Sequence, residues 1–113
     1  MSGISTHVLD TAKGRPATGL PITLAFQFKD DWQEVGKTLT NADGRAPELM
    51  PKDSRLAPGI YRLTFDTAFY FASLGITGFY PQVQVMFEIV NADLHYHVPL
   101  LLSPFGYSTY RGS

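Results

Sequence analysis

The sequence predicts an all-β sandwich, and three observations carry that expectation. Two segments alternate apolar with polar positions: Ile22, Leu24, Phe26 and Phe28 against Thr23, Ala25, Gln27 and Lys29, and Val83, Val85, Phe87 and Ile89 against Gln82, Gln84, Met86 and Glu88. A period of two turns every second side chain to one face, the pattern of a strand with one side on a core. Turn-forming clusters then recur at Lys13–Pro16, Asn41–Gly44, Asn91–Asp93 and Ser103–Gly106. Finally, only one segment carries helix signals, and many short strands joined by turns pack as two sheets.

Taken in order, Gly3 to Leu9 reads as the first strand and Ile22 to Phe28 as the next. Val35 to Thr40 is read as a further strand. The Pro58-Gly59 break starts another, with Tyr61, Leu63 and Phe65 opposite Arg62, Thr64 and Asp66. Asp66 is placed as the N-cap of a short helix over Thr67–Leu74, closed by Gly75. Val83 to Ile89 follows as a strand. Val98-Pro99-Leu100-Leu101-Leu102 is apolar at every position, so this strand should be buried on both faces, one of them against another subunit. No repeat, linker or low-complexity tract interrupts the chain, and residues 1–113 are expected to form a single domain.

Nine basic and ten acidic residues among 113 give a net charge of -1, which argues against a nucleic-acid or anionic-membrane partner. The absence of cysteine excludes a disulfide framework, a thiolate nucleophile and a Cys-ligated zinc. Met1 to His7 lacks the basic start and apolar core of a signal peptide, and no apolar run reaches membrane-spanning length. Arg111-Gly112-Ser113 does not match the Ser-Lys-Leu peroxisomal address. The expectation is a soluble, cytoplasmic protein.

The residues able to carry chemistry are few. His95-Tyr96-His97 has the i, i+2 spacing that turns both rings to one side of a strand. With His7 added, three imidazoles could hold zinc, but no carboxylate sits close enough in sequence to orient them, and polar surface is the plainer reading; no metal is expected. Taken singly, His7 reads as a hydrogen-bonded strand residue, Arg45 as a solvated turn residue and Tyr110 as an edge aromatic. Gly-x-Ser-x-Gly is absent, leaving Ser5, Ser103 and Ser108 as ordinary serines, and Gly75-Ile76-Thr77-Gly78 fits no phosphate-binding loop. No cofactor is expected.

Longer stretches carry more information. The run from His95-Tyr96-His97-Val98-Pro99 through Leu102-Ser103-Pro104 to Tyr107-Ser108-Thr109-Tyr110-Arg111-Gly112-Ser113 closely resembles the C-terminal signature of the 5-hydroxyisourate hydrolases. Ser5-Thr6-His7-Val8-Leu9-Asp10-Thr11 with Gly14-Arg15-Pro16-Ala17 resembles the N-terminal signature, and Thr40-Asn41-Ala42-Asp43-Gly44-Arg45 the central one. Gly59 to Phe65 and Phe79-Tyr80-Pro81 also fit, so the resemblance spans the chain. Transthyretin shares the fold and some of these segments but differs where this chain has His7, Arg45, His97 and Tyr110, and it carries thyroid hormone.

The resemblance implies a transthyretin-like Greek-key sandwich of about eight strands in two sheets with one short helix. It implies a homotetramer, a dimer of dimers with active sites at the dimer–dimer interface, and a cofactor-free hydrolysis of 5-hydroxyisourate to 2-oxo-4-hydroxy-4-carboxy-5-ureidoimidazoline. His7, Arg45 and His97 are then the expected catalytic residues. Tyr110 and Ser113 join His7 and Arg45 in binding substrate, with the tail closing the pocket. Two other readings compete: a transthyretin-like carrier of a small aromatic ligand, and a purely structural sandwich module.

Overall fold

The computed structural model describes residues 3–51 and 54–113; the part of the leader reading that falls on Met1 and Ser2 lies outside them. Among the described residues, ten strands and one helix follow in chain order: β1 (Gly3–Ser5), β2 (Val8–Asp10), β3 (Arg15–Pro16), β4 (Pro21–Phe28), β5 (Asp31–Leu39), β6 (Gly59–Phe65), α1 (Thr67–Ser73), β7 (Val83–Ile89), β8 (His95–His97), β9 (Leu100–Ser103) and β10 (Gly106–Thr109). One sheet has the order β5-β4-β6-β7 and is antiparallel throughout. Opposite it, β10-β9-β2-β3 form a second sheet, which β1 and β8 extend as a parallel pair.

The count of ten comes down to about eight once two interruptions are recognised. Gly3 to Ser5 pair with His95 to His97, and Val8 to Asp10 pair with Leu100 to Leu102, in one unchanged parallel register. Between the two halves the ladder is altered for identifiable reasons. Pro99 has no N–H to give. The Val98 carbonyl accepts from the Thr6 hydroxyl, and the Val8 N–H turns away to the Gly44 carbonyl at 2.8 Å. The chain stays extended, held by Val98 N–H on the Ser5 carbonyl and Leu100 N–H on the His7 carbonyl.

Core packing follows the alternation. Ile22, Leu24, Leu63, Phe65, Val83 and Ile89 from the antiparallel sheet meet Val8, Leu100 and Leu102 from the other, all with their side chains removed from solvent. Burial of each such side chain is worth about 1.5–3 kcal/mol. The helix lies where expected: the Asp66 carboxylate accepts from Phe69 N–H, and Gly75 takes φ 71° just beyond the end. Its Tyr70 hydroxyl donates to the buried Asp10 carboxylate at 2.7 Å, pinning α1 to β2 of the second sheet.

Three expectations change. β5 starts at Asp31, well before Val35, and carries a bulge opposite Leu24 and Ala25. Arg15–Pro16, read as turn, pairs briefly with Leu9 and Asp10 as an edge strand, where a proline without an N–H is tolerated. The all-apolar run also needs no second subunit for most of its burial. Val98, Pro99, Leu100 and Leu102 are buried within the one chain, because β9 is flanked by β2 and β10, and only Leu101 stays half-buried.

Candidate active site

Two ladders decide which side chains share the outer face of the β10-β9-β2-β3 sheet. The parallel register sets Ser5 beside His97, and its continuation sets His7 beside Pro99 and Leu9 beside Leu101. On the other flank, Thr109 pairs with Leu100 and Gly112 with His97 in one antiparallel register, which places Tyr110 beside Pro99. An antiparallel bridge joins His7 to Arg45. Paired residues point to the same side of a sheet. One row therefore reads Arg45, His7, Pro99, Tyr110, and the next Ser5, His97, Gly112. Inward-facing neighbours on the same strands, Ile4, Thr6, Val8 and Tyr96, are buried in the core.

A turn delivers Arg45 to His7. The Asn41 side-chain oxygen accepts from Asp43 N–H at 2.9 Å and from Arg45 N–H at 3.1 Å, while Asn41 N–H donates to the Arg45 carbonyl. Gly44 takes φ 74°, and a Cβ there would lie 2.4 Å from the Val8 carbonyl oxygen and 3.3 Å from His7 Cδ2. Only a glycine lets the turn come this close. The guanidinium ends on an exposed residue, where it presents a planar set of donors to solvent.

His97 is half-buried, and its ring is held from two sides. Ser5 Oγ lies 2.8 Å from His97 Nδ1 and 2.7 Å from His95 Nε2. On the other side Gly112 N–H donates to the His97 carbonyl at 2.8 Å, and a Cβ on Gly112 would stand 2.6 Å from His97 Cδ2. Each histidine is thus backed by a glycine, His7 by Gly44 and His97 by Gly112. Burial pushes the His97 pKa below the ordinary histidine value, and Arg45, His7 and His95 add to that effect by repelling its charged form. The ring is held neutral, with a lone pair available to accept a proton.

Of the residues singled out in the sequence, the structure brings His7, Arg45, His97 and Tyr110 onto one face. Ser113 follows Gly112 at the edge of that patch and is exposed. The i, i+2 pair also behaves as its spacing suggests, since both rings reach Ser5 Oγ. The sequence offers no role for Ser5 or Gly44, and names Gly112 only as part of the tail. Ser5 and His7 share strand parity, but the partners of Ser5 lie across the whole chain and leave no local pattern. Arg111 does not join the face, as its guanidinium stacks on the inward-facing Tyr96 ring at 4.7 Å. A crevice of about 150 Å³, lined by Val85, Phe87, Tyr96, Val98, Tyr110 and Arg111, shares Tyr110 with the histidine face but none of the three histidines.

Comparison with known proteins identifies the family and the fold. The model of the HIUase/Transthyretin family covers residues 4–112. A 5-hydroxyisourate hydrolase of Mus musculus is 47% identical over 114 residues, spanning 99% of this chain and 96% of the mouse protein. The solved structure of Klebsiella pneumoniae 5-hydroxyisourate hydrolase superposes with a TM-score of 0.84 at 35% identity, over 97% of this chain and 98% of that one. Sea bream transthyretin in complex with thyroxine superposes with a TM-score of 0.89 at 31% identity, over 96% and 93%. The match along almost the full length places the chain in the HIUase/Transthyretin family.

Proposed function

We propose that this chain hydrolyses 5-hydroxyisourate, opening its six-membered ring to 2-oxo-4-hydroxy-4-carboxy-5-ureidoimidazoline, at the face built by His7, Arg45 and His97. The observation that carries the reading is the register that sets His7 against Arg45 with His97 in the adjacent row. Names of the relatives point the same way, and the carrier reading has no residue in its favour: a hormone site needs no paired imidazoles beside a guanidinium.

The reaction needs a base to take a proton from water, a donor for the oxyanion that forms on the attacked carbonyl, and contacts that orient a flat polar ring. His97, kept neutral by burial and by Arg45, is suited to accept the proton. His7, next to Arg45, helps hold the water. Arg45 stays charged and offers its fork of donors to the ring carbonyl, where they gain strength as negative charge develops. Tyr110, in the same row as His7, stacks on or hydrogen-bonds the ring, and Ser113 fixes the tail or the water. Every group in this scheme is a side chain of the protein, and no cofactor enters.

The histidine face lies open on a single chain, and water exclusion would strengthen each of these interactions. A homotetramer, assembled as a dimer of dimers with sites at the dimer–dimer interface, supplies the missing wall; half-buried Leu101 and Leu9 on the same face are suited to that contact. A cytoplasmic location goes with the reading. Among the described residues no helix is long and apolar enough to cross a membrane.

The test is direct. 5-Hydroxyisourate generated fresh from urate decays spontaneously, and its ultraviolet absorbance should fall much faster with the protein present; decay at the spontaneous rate would remove the assignment. Replacing His7, Arg45 or His97 singly by alanine should lower kcat by about 10²- to 10⁴-fold, the usual contribution of a positioned acid–base or oxyanion group. Assembly, followed by sedimentation, should be unchanged. Near-normal turnover in all three variants would move the site elsewhere.

A further inference from the structure

The geometry points to a proton relay running from His97 through Ser5 to His95, which orients the ring of the base and carries its extra proton toward solvent. The inference rests on the reading of His97 as the group that activates water. Ser5 Oγ stands 2.8 Å from His97 Nδ1 and 2.7 Å from His95 Nε2. A hydroxyl has one proton to donate, so it can donate to one of these nitrogens and must accept from the other.

Two arrangements satisfy both contacts. In the first, His97 Nδ1–H donates to Ser5 Oγ and Ser5 O–H donates to His95 Nε2. In the second, His95 Nε2–H donates to Ser5 and Ser5 donates to His97 Nδ1. Only the first leaves His97 Nε2 without a proton, as a base requires. The second would turn His97 into a donor. With Nδ1 occupied by Ser5, Nε2 is the nitrogen left to meet water on the open face.

The proton transfers balance along this chain. When water attacks, its O–H bond breaks, the oxygen pair forms the new bond to the ring carbonyl carbon, and the proton goes to His97 Nε2. The Nδ1 proton then passes to Ser5 Oγ, and the Ser5 proton passes to His95 Nε2. Positive charge that would sit on a half-buried ring facing Arg45 and His7 moves instead to the exposed His95. When the carbon–nitrogen bond of the ring breaks, the departing nitrogen takes a proton, and the relay run backward supplies it and returns His97 to neutrality. Tyr110 on the tail lies in the adjacent row of the same face, beside Pro99. Arg111 is turned to the opposite face, against Tyr96.

Ser5 is a positioning residue in this scheme, and the test must separate that role from simple packing. Ser5→Ala should reduce kcat by about tenfold or more, a part of the ~10²–10⁴ that positioned proton transfer supplies, with little change in KM. Ser5→Thr, which keeps the hydroxyl, should restore most of the loss. His95→Gln, which keeps a polar group but cannot carry the proton onward, should lower kcat and be partly rescued by imidazole in the buffer.

Nitrogen-15 NMR of the ring should show His97 neutral with its proton on Nδ1 in the parent protein, and a shift toward the Nε2–H tautomer in Ser5→Ala. Normal kcat with an unchanged tautomer in Ser5→Ala would overturn the relay, as would a Ser5→Thr variant no better than Ser5→Ala. A parent protein that fails to speed loss of 5-hydroxyisourate would instead overturn the proposed function, and the tautomer measurement would still decide whether Ser5 orients the ring.

Discussion

At the scale of single residues, Arg45 has two effects on His97 that can be separated by pH. Its charge offers donors to substrate, and it also lowers the His97 pKa, second to burial among the causes. The neutral form of His97 is the active one, so kcat should fall on the acid side through a group titrating below the ordinary histidine value of ~6.5. Arg45→Gln keeps hydrogen-bond donors but removes the charge that repels the imidazolium. The His97 pKa should then rise, and the acid limb should move to higher pH along with a drop in turnover. A limb that stays put or moves to lower pH would show that His97 is not the titrating base.

Gly112 makes a second case at this scale. A methyl group there would meet His97 Cδ2 at 2.6 Å, with Cγ at 3.3 Å, so the ring or the tail must move. Because Ser5 holds the other edge of the ring, Gly112→Ala should misplace the base and cut kcat while shifting the thermal midpoint little; unaltered kinetics would mean the tail, not the ring, gives way. Neither this contact nor the Ser5 bridge was legible in the sequence. Periodicity reports which face a residue takes on its own strand, while these contacts depend on which strands become neighbours. His7, Arg45, His97 and Tyr110 are singled out only through the resemblance, since each taken alone has an ordinary structural explanation.

Among the elements, legibility tracked the strength of local pattern. β4, β6 and β7 alternate because one face of each packs on the core, and all three lie where the alternation placed them. β5 was caught only in its second half: its burial is irregular, and Gly36 is required where the backbone of Leu49 crosses so closely that a Cβ would overlap the Leu49 carbonyl. The helix is readable from its two ends, the Asp66 cap and Gly75. That cap can be weighed, since the Asp66 carboxylate accepts from Phe69 N–H at 3.1 Å at the start of a seven-residue helix. Asp66→Ala should cost about 1 kcal/mol in chemical denaturation, typical for losing an N-cap. Asp66 directly follows β6, in the sheet that does not carry the site, so turnover of the folded variant should match the parent; an unchanged denaturation midpoint would show the cap to be idle.

For the whole molecule, the open question is what covers the histidine face. The fold completes a core within one chain, and the strand expected to need a partner is largely buried without one. What remains is a flat outer surface with Leu9 beside Leu101 and Ser108, contiguous with the row of Arg45, His7 and Tyr110. If four copies close over this surface, Leu101 sits in the contact. Leu101→Glu then provides a discriminating experiment. In a lone chain the carboxylate can reach water from a half-buried position, so the circular dichroism spectrum should stay close to the parent's. In the assembly, four carboxylates would lose water near one another without partners, a cost of several kcal/mol each. The variant should therefore sediment as a smaller species. It should also lose most of its hydrolysis of 5-hydroxyisourate although His7, Arg45 and His97 are untouched, because water would no longer be excluded from the site. Full activity in a dissociated variant would show that one chain suffices and that the tetramer serves another purpose.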